Sequence, residues 1–468
     1  MRAPLGADSL SPVCPPMNEL LQDAASRAAR YLHDLGEREV APAEAAIGRL
    51  AELRHALPDG PTPPAEVLRI LDEVGSPATV ASAGPRYFGF VTGGTLPAAL
   101  AANWLAGAWD QNAHFIVGSP IAAALEEISL GWVLDAAGLP ASWSGGFVTG
   151  TTMGNFCGIA AARNALLARE GWDVEAKGLY GAPELTVVVG AEAHSTLHRA
   201  LAFAGLGSER VVRVPVDDQG RMRADRIPEL SGPTLVVAQA GNVNSGGFDP
   251  LQALAEQTRA AGAWLHVDAA FGFWARASAS VRPLVAGLEH ADSVATDLHK
   301  WLNVPYDAGL VLFREAEPAR AALSLSAAYL PDDPLRQPCD FTPESSRRAR
   351  GVEVWAALRS LGRTGLEELV DRGCAQARRL ADGLAAAGHE ILNDVVLNQV
   401  VVAFGDDATT QAVIAGVQAE GTCWAGGTTW RGRAALRISL SSWATTDDDA
   451  ERSLEAILRV AARGAESA

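Results

Sequence analysis

Only two of the 38 basic residues in this 468-residue chain are lysines, Lys177 and Lys300; the other 36 are arginines. Arginine replaces lysine wherever a solvated positive charge suffices, but its guanidinium stays protonated and cannot serve as an amine nucleophile. Lys177 lies in Glu-Ala-Lys-Gly between apolar segments, where a surface charge explains it. Lys300 follows a β-branched run in Asp297-Leu-His299-Lys300-Trp301, next to an imidazole. Other reactive groups fall at comparable places. His194 follows one apolar run in Ala191-Glu-Ala-His194-Ser195, and Asp268 ends another, Ala263-Trp-Leu-His-Val-Asp268. Asn244 lies in Gly241-Asn242-Val-Asn244 after a third. Gly150-Thr151-Thr152-Met-Gly154-Asn155 opens a helix running to about 169, whose free N–H groups and dipole suit a phosphate.

Each group has a plainer role open to it. Thr151 and Thr152 can cap their helix, Asp268 can be a cap, and Asn244 a turn residue. The Gly-rich start is neither GxGxxG nor a Walker loop. His194 and His198 have the i, i+4 spacing of zinc ligands, but HExxH is missing and no third ligand is evident, so no metal is expected. The order along the chain raises the set above these readings: glycine-rich helix start, His, Asp, Lys, each at a strand end. Open parallel sheets place their sites outside those ends. A phosphate cradle, a buried carboxylate, an imidazole and an amine form the inventory for holding pyridoxal phosphate.

The strands that must position these groups read at 185–190, 211–215, 234–238, 263–268, 292–296 and 309–313, with helical stretches such as 250–261 between them. Continuous apolar runs of this kind predict a mostly parallel sheet buried on both faces. Residues 1–80 read as amphipathic helices broken at Pro58-Asp-Gly-Pro61. Past about 340 a long helix (352–388), strands near 396–404 and 434–440 and a helix at 409–419 predict a separate α+β unit. The expected division is 1–80 helical, 81–335 cofactor-holding and 336–468 C-terminal. The formal net charge of −17 argues against nucleic acid, which needs a basic face. No run of about 18 apolar residues predicts a membrane span, and the first residues lack an apolar signal core. Five scattered cysteines (14, 157, 339, 374, 423) fit a reducing cytoplasm.

His266-Val-Asp268-Ala-Ala270 and Asp297-Leu-His299-Lys300-Trp301 together resemble the signatures of the group II pyridoxal-phosphate-dependent amino acid decarboxylases, which include the aromatic amino acid and glutamate enzymes. The resemblance runs from about Tyr87 to about 365. It implies fold type I: a large domain with a mostly parallel seven-stranded sheet, a small C-terminal domain, and a homodimer with sites at its interface. The helical N-terminus, with apolar faces but no core of its own, is expected to pack across the two-fold axis. Lys300 is similar to the family's Schiff-base lysine and Asp268 to the carboxylate facing the pyridine nitrogen. His194 matches the imidazole stacked on the ring, and Ala270 the small residue on its other face. Thr151, Thr152 and His299 match phosphate-holding positions, with Asn155 and Asn244 as helpers and Thr92 on the substrate side. The implied reaction is decarboxylation of an L-amino acid.

In relatives a mobile loop presents a tyrosine that reprotonates the substrate carbon. The stretch 330–346 here has none, and the nearest is Tyr329. Another reaction of the same cofactor, by a carbon–carbon lyase, aminotransferase or aldehyde synthase, is therefore the alternative. Trp104, Trp109, Phe115, Trp424 and Trp430 are candidates for an aromatic pocket, although tryptophan more often serves as core.

Overall fold

The computed structural model describes residues 17–324 and 336–466; Cys14 and Tyr329 lie outside them. Seven strands form the main sheet: β1 (Ser144–Val148), β2 (Thr186–Gly190), β3 (Val211–Val214), β4 (Thr234–Gln239), β5 (Trp264–Asp268), β6 (Ser293–Asp297) and β7 (Gly309–Phe313). Their order is β1-β7-β6-β5-β4-β2-β3. The pairs from β3 across to β6 are parallel, whereas β7 is antiparallel to both β6 and β1. Six strands therefore run one way and β7 opposes them. Eleven residues, too few for the helical crossover a parallel neighbour needs, join β6 to β7, so the chain simply turns back.

Alternation along each strand divides the apolar side chains between two faces. Val187, Val189, Leu235, Val237, Trp264, Val311 and Phe313 pack on one side with the helices Thr151–Arg169 and Ser195–Phe203. Val188, Val236, Leu265, Val267, Val294 and Leu312 pack on the other with the helices Pro120–Ala136 and Leu251–Ala261. Both faces are dry, which explains why the strands read as unbroken apolar runs.

Four antiparallel strands, β8 (Glu390–Ile391), β9 (Gln399–Ala403), β10 (Gly426–Trp430) and β11 (Arg433–Ser439), form a second sheet in the order β10-β11-β9-β8. The helices Asp407–Glu420 and Asp447–Glu466 help close its core. The helical run Gly351–Ala386 breaks at Gly362, whose φ of +62° lies in the left-handed region. Its residues Val354 to Cys374 pack into the large core, while Ala377 to Leu384 pack into the small one. One rod thus serves both sheets. At the other end, the Met17–Asp34 helix has no buried residue of its own.

Candidate active site

The carboxyl ends of β1, β2, β4, β5 and β6 open on one side of the main sheet, and a cavity of about 290 Å³ lies there. Its walls include Gly150, Thr151, Thr152, His194, Asp268, Ala270, Asp297, His299 and Lys300. That volume lies near the lower bound of about 300–1,000 Å³ usual for small-molecule sites. A wider cleft of about 720 Å³ runs past Asp217, Asp225 and Asp249. The carboxylates of Asp217 and Asp249 there bond to backbone N–H groups of Gln219, Arg221, Met222 and Gln239. These acids fasten loops, and among the described residues the cleft holds no comparable set of reactive groups.

Register assembles the smaller cavity. Val148 on β1 and Asp297 on β6 both lie opposite Gly309 of β7, so the loop after β1 meets the end of β6. The Thr151 N–H donates to Asp297 Oδ1 at 2.6 Å, and Lys300 Nζ lies 2.9 Å from Asp297 Oδ2. His299 Nε2 is 3.5 Å from the same carboxylate, while its Nδ1 accepts from the Ala308 N–H. Burial pushes the Asp297 carboxyl up; the Lys300 ammonium, the His299 ring and the Thr151 N–H together bring it below the usual range. Gly93 presses on this centre from outside: a Cβ there would lie 1.8 Å from the Lys300 carbonyl oxygen. Any side chain would displace the lysine's backbone.

Asp268, at the end of β5, accepts from Asn155 Nδ2 at 2.8 Å and from the Ala270 N–H at 3.2 Å. Burial raises its carboxyl above the ordinary value; the Asn155 amide and the charges of His194 and Lys300 oppose the rise only partly. His194 caps the Ser195–Phe203 helix with non-helical dihedrals, so His194 and His198 do not share a helical face as their spacing suggested. Its Nδ1 lies 2.7 Å from Thr196 Oγ1. Burial first, then Lys300 and Arg437, lower its basicity, while Asp268 raises it; the net shift is downward, which favours the neutral ring.

The residues present fit pyridoxal phosphate. The Thr151 hydroxyl is buried at the start of the Thr151–Arg169 helix with no hydrogen-bond partner among the described residues. Native structures rarely leave such an atom unsatisfied, and a phosphate oxygen is the acceptor this place suits. Asp268 is a buried carboxylate that no cation among the described residues contacts directly, ready for a ring N–H⁺. Lys300 supplies the amine.

Of the residues expected from sequence, Thr151, Thr152, His194, Asp268, Ala270, His299 and Lys300 meet at this cavity, and Asn155 supports it through Asp268. Asn244 does not line it; its Oδ1 accepts from Thr428 on β10 at 2.8 Å, tying the loop to the second sheet. Thr92 is buried in the loop that carries Gly93 against Lys300. Trp424 stacks on Tyr87 at 5.1 Å, whereas Trp430 is buried core. Four contributors were not anticipated. Asp297 opens the motif around Lys300 in the sequence but was given no role there, although its position three before Lys300 was a usable signal. Thr196 lies beside His194. Tyr306 stacks on His299 at 4.3 Å, and Arg437 of β11 comes near enough to His194 to act on its charge. Tyr306 follows His299 by seven residues in the β6–β7 link, whereas only the fold brings in Arg437.

The sequence model of the pyridoxal-dependent decarboxylase conserved domain matches residues 50–404. L-2,4-diaminobutyrate decarboxylase of Rhizobium meliloti is 31% identical over 385 residues, covering 77% of this chain and 74% of that protein. Acidic amino acid decarboxylase GADL1 of Mus musculus is 31% identical over 315 residues, 64% of this chain; the chain spans only 56% of that relative's length. Among solved structures, Oryza sativa TDC with PLP and tryptamine superposes with a TM-score of 0.87 at 22% identity, over 99% of both chains. The cavity's chemistry and the matched span agree, and the chain belongs to the pyridoxal-dependent decarboxylase family, with pyridoxal phosphate as its cofactor.

Proposed function

We propose that this chain decarboxylates an L-amino acid, with pyridoxal phosphate held as a Schiff base on Lys300, and that it acts as a cytoplasmic homodimer. The observation that carries the reading is the convergence of one amine, one cation-poor carboxylate and one unpartnered hydroxyl in a single cavity. The bound cofactor supplies a conjugated ring that takes up the electron pair left by the departing carboxylate. Thr151, Thr152 and His299 hold the phosphate. Asp268 keeps the proton on the ring nitrogen, so the ring stays electron-poor. His194 covers one face of the ring and Ala270 leaves room on the other. Together they would orient the substrate's scissile bond toward the bound cofactor, and such orientation accelerates by removing unproductive geometries.

Arg437 is the nearby cation suited to the substrate's carboxylate: its Nε is buried without a partner among the described residues. Exposed Trp104, Leu105 and Trp109 on the Pro97–Trp109 helix, with the Met17–Asp34 helix, support a two-fold contact. Four buried, unpaired cysteines support a reducing compartment. Borohydride reduction followed by peptide mapping tests the lysine. The label belongs on Lys300, and a label on Lys177, or one surviving in Lys300→Ala, contradicts the reading.

A second outcome, a carbonyl product in place of the amine, is favoured by the lack of tyrosine in 330–346. A positioned general acid contributes roughly 10²–10⁴-fold, and His194 at the cavity and Tyr306, stacked on His299, are among the described groups able to give a proton. Reactions across an amino acid panel, with and without oxygen, separate the outcomes. Stoichiometric amine without peroxide supports simple decarboxylation; oxygen-dependent carbonyl supports the second.

A further inference from the structure

Alternate residues of β5 share one face of the sheet, and Trp264, His266 and Asp268 are such a set. Ser293 lies directly opposite His266 on β6. The Thr151–Arg169 helix covers this face and brings Asn155 and Gly158 onto it. Trp264 Nε1 lies 2.9 Å from Ser293 Oγ, which lies 2.8 Å from His266 Nδ1. His266 Nε2 lies 3.0 Å from Asn155 Oδ1, and Asn155 Nδ2 lies 2.8 Å from Asp268 Oδ2. Asn155, His266 and Ser293 have no exposed surface at all. A Cβ on Gly158 would come within 2.4 Å of the His266 ring, so only glycine leaves the imidazole its place.

We propose that Trp264, Ser293, His266 and Asn155 form a one-way hydrogen-bond relay that orients the Asp268 carboxylate and keeps it charged, making all four positioning residues for the ring nitrogen. The proposal rests on the reading of Asp268 given above. Its direction follows from chemistry. An indole nitrogen only donates, so Ser293 Oγ accepts from Trp264. The serine hydrogen then goes to His266 Nδ1, which makes the ring neutral with its proton on Nε2. That N–H donates to Asn155 Oδ1, which turns the amide nitrogen toward Asp268. Reversal would need a protonated Asp268 and would strand the Ser293 hydrogen, because Trp264 cannot accept it. The indole therefore sets the direction and the carboxylate receives it. Burial independently drives His266 to the neutral state, lowering its value to about 3.

The test uses the whole protein. With ¹⁵N-labelled histidine, ring resonances are read in the wild type, and His266 is assigned by comparison with His266→Gln. A neutral Nε2–H tautomer, with and without cofactor, is expected; an Nδ1–H or doubly protonated ring overturns the relay. The tautomer is read on the wild type, with His266→Gln supplying only the assignment, and it uses none of the cofactor reading. Next, the pH at which the ring nitrogen of ¹⁵N-labelled pyridoxal phosphate loses its proton is compared among wild type, Ser293→Ala, Trp264→Phe and Asp268→Asn. Both relay variants should lower it by about one unit, a roughly tenfold weaker hold, with kcat falling more than KM changes. Folded relay variants that titrate like the wild type overturn the proposal. If Asp268→Asn also leaves the titration unchanged, the reading of Asp268 itself fails, whatever the tautomer shows. Should neither relay variant fold, the wild-type tautomer decides.

Discussion

Asp268 and Asp297 end adjacent strands, β5 and β6, and each is 5% exposed. Burial drives both carboxyl groups up, yet Asp297 finishes below its ordinary value and Asp268 above it. The difference lies in their partners. Asp297 is paired at 2.9 Å with the Lys300 ammonium and receives the Thr151 N–H. Among the described residues Asp268 receives only neutral donors directly, the Asn155 amide and the Ala270 N–H. At equal burial, a contacting cation decides the sign. A site that pushes two carboxyl groups apart in this way divides their labour. Asp297 already has its cation and holds the Lys300 amine beside the start of the Thr151–Arg169 helix. Asp268 lacks one and is set up to meet a cationic atom of a ligand.

The harshest way to break this contrast is Lys300→Ala, which removes both the proposed nucleophile and the cation of Asp297. Carbon dioxide release should fall by at least about 10³-fold; a variant within tenfold of wild type contradicts the assignment. Asp268→Asn comes next. Loss of one charge-assisted contact in a closed site costs about 10²–10³-fold in kcat, and a loss below about tenfold counts against its role. Asp297→Asn should weaken cofactor binding by roughly tenfold while touching kcat less, since it acts through Lys300 and the cradle rather than on the ring. Equilibrium titration with pyridoxal phosphate reads this, and the reverse ranking of the two aspartates would undo the comparison.

The smallest effect concerns stability. His266 stays neutral in the fold down to about 3, whereas an unfolded imidazole takes its proton near 6.5. The unfolded chain therefore binds more protons between those values, and stability is lost as pH falls through that window, by on the order of 1 kcal/mol per pH unit. His266→Gln should flatten the fall in melting temperature of the cofactor-free protein from pH 7 to pH 5. An unchanged slope would assign the acid sensitivity to other groups.

Much of this contrast was legible in the sequence, but unevenly. The strands carrying His194, Asp268 and Lys300 read correctly because burial on both faces makes each an uninterrupted apolar run. β1 did not: Ser-Gly-Gly-Phe-Val has two glycines at its centre, where a Cβ would strike the Val311 carbonyl or the Thr342 side chain. Close packing erased the pattern that marks a strand. β7 was located, but its reversed direction lies in the connection rather than in its residues. The motif around Lys300 exposed the lysine and concealed Asp297, because a polar residue ending a strand resembles a boundary. Arg437 and Thr428 arrive from β11 and β10, more than a hundred residues from the motifs, and only the docking of the second sheet explains them. Asn244, expected as a cofactor helper, lies in a turn between two strand-end motifs, and its bond to Thr428 appears only once the partner strand is placed.

Carboxyl titration of the two aspartates measures the contrast directly. Protein labelled with ¹³C at the aspartate carboxyl carbon, with Asp268→Asn and Asp297→Asn supplying assignments, is titrated before and after loading with pyridoxal phosphate. Before loading, Asp268 should titrate above the ordinary carboxylate range and Asp297 below it. After loading, Asp268 should drop to join Asp297, because the ring N–H⁺ supplies the cation it lacks. Two carboxyl groups that titrate alike before loading, or an Asp268 that loading leaves unmoved, would contradict the division of labour between them.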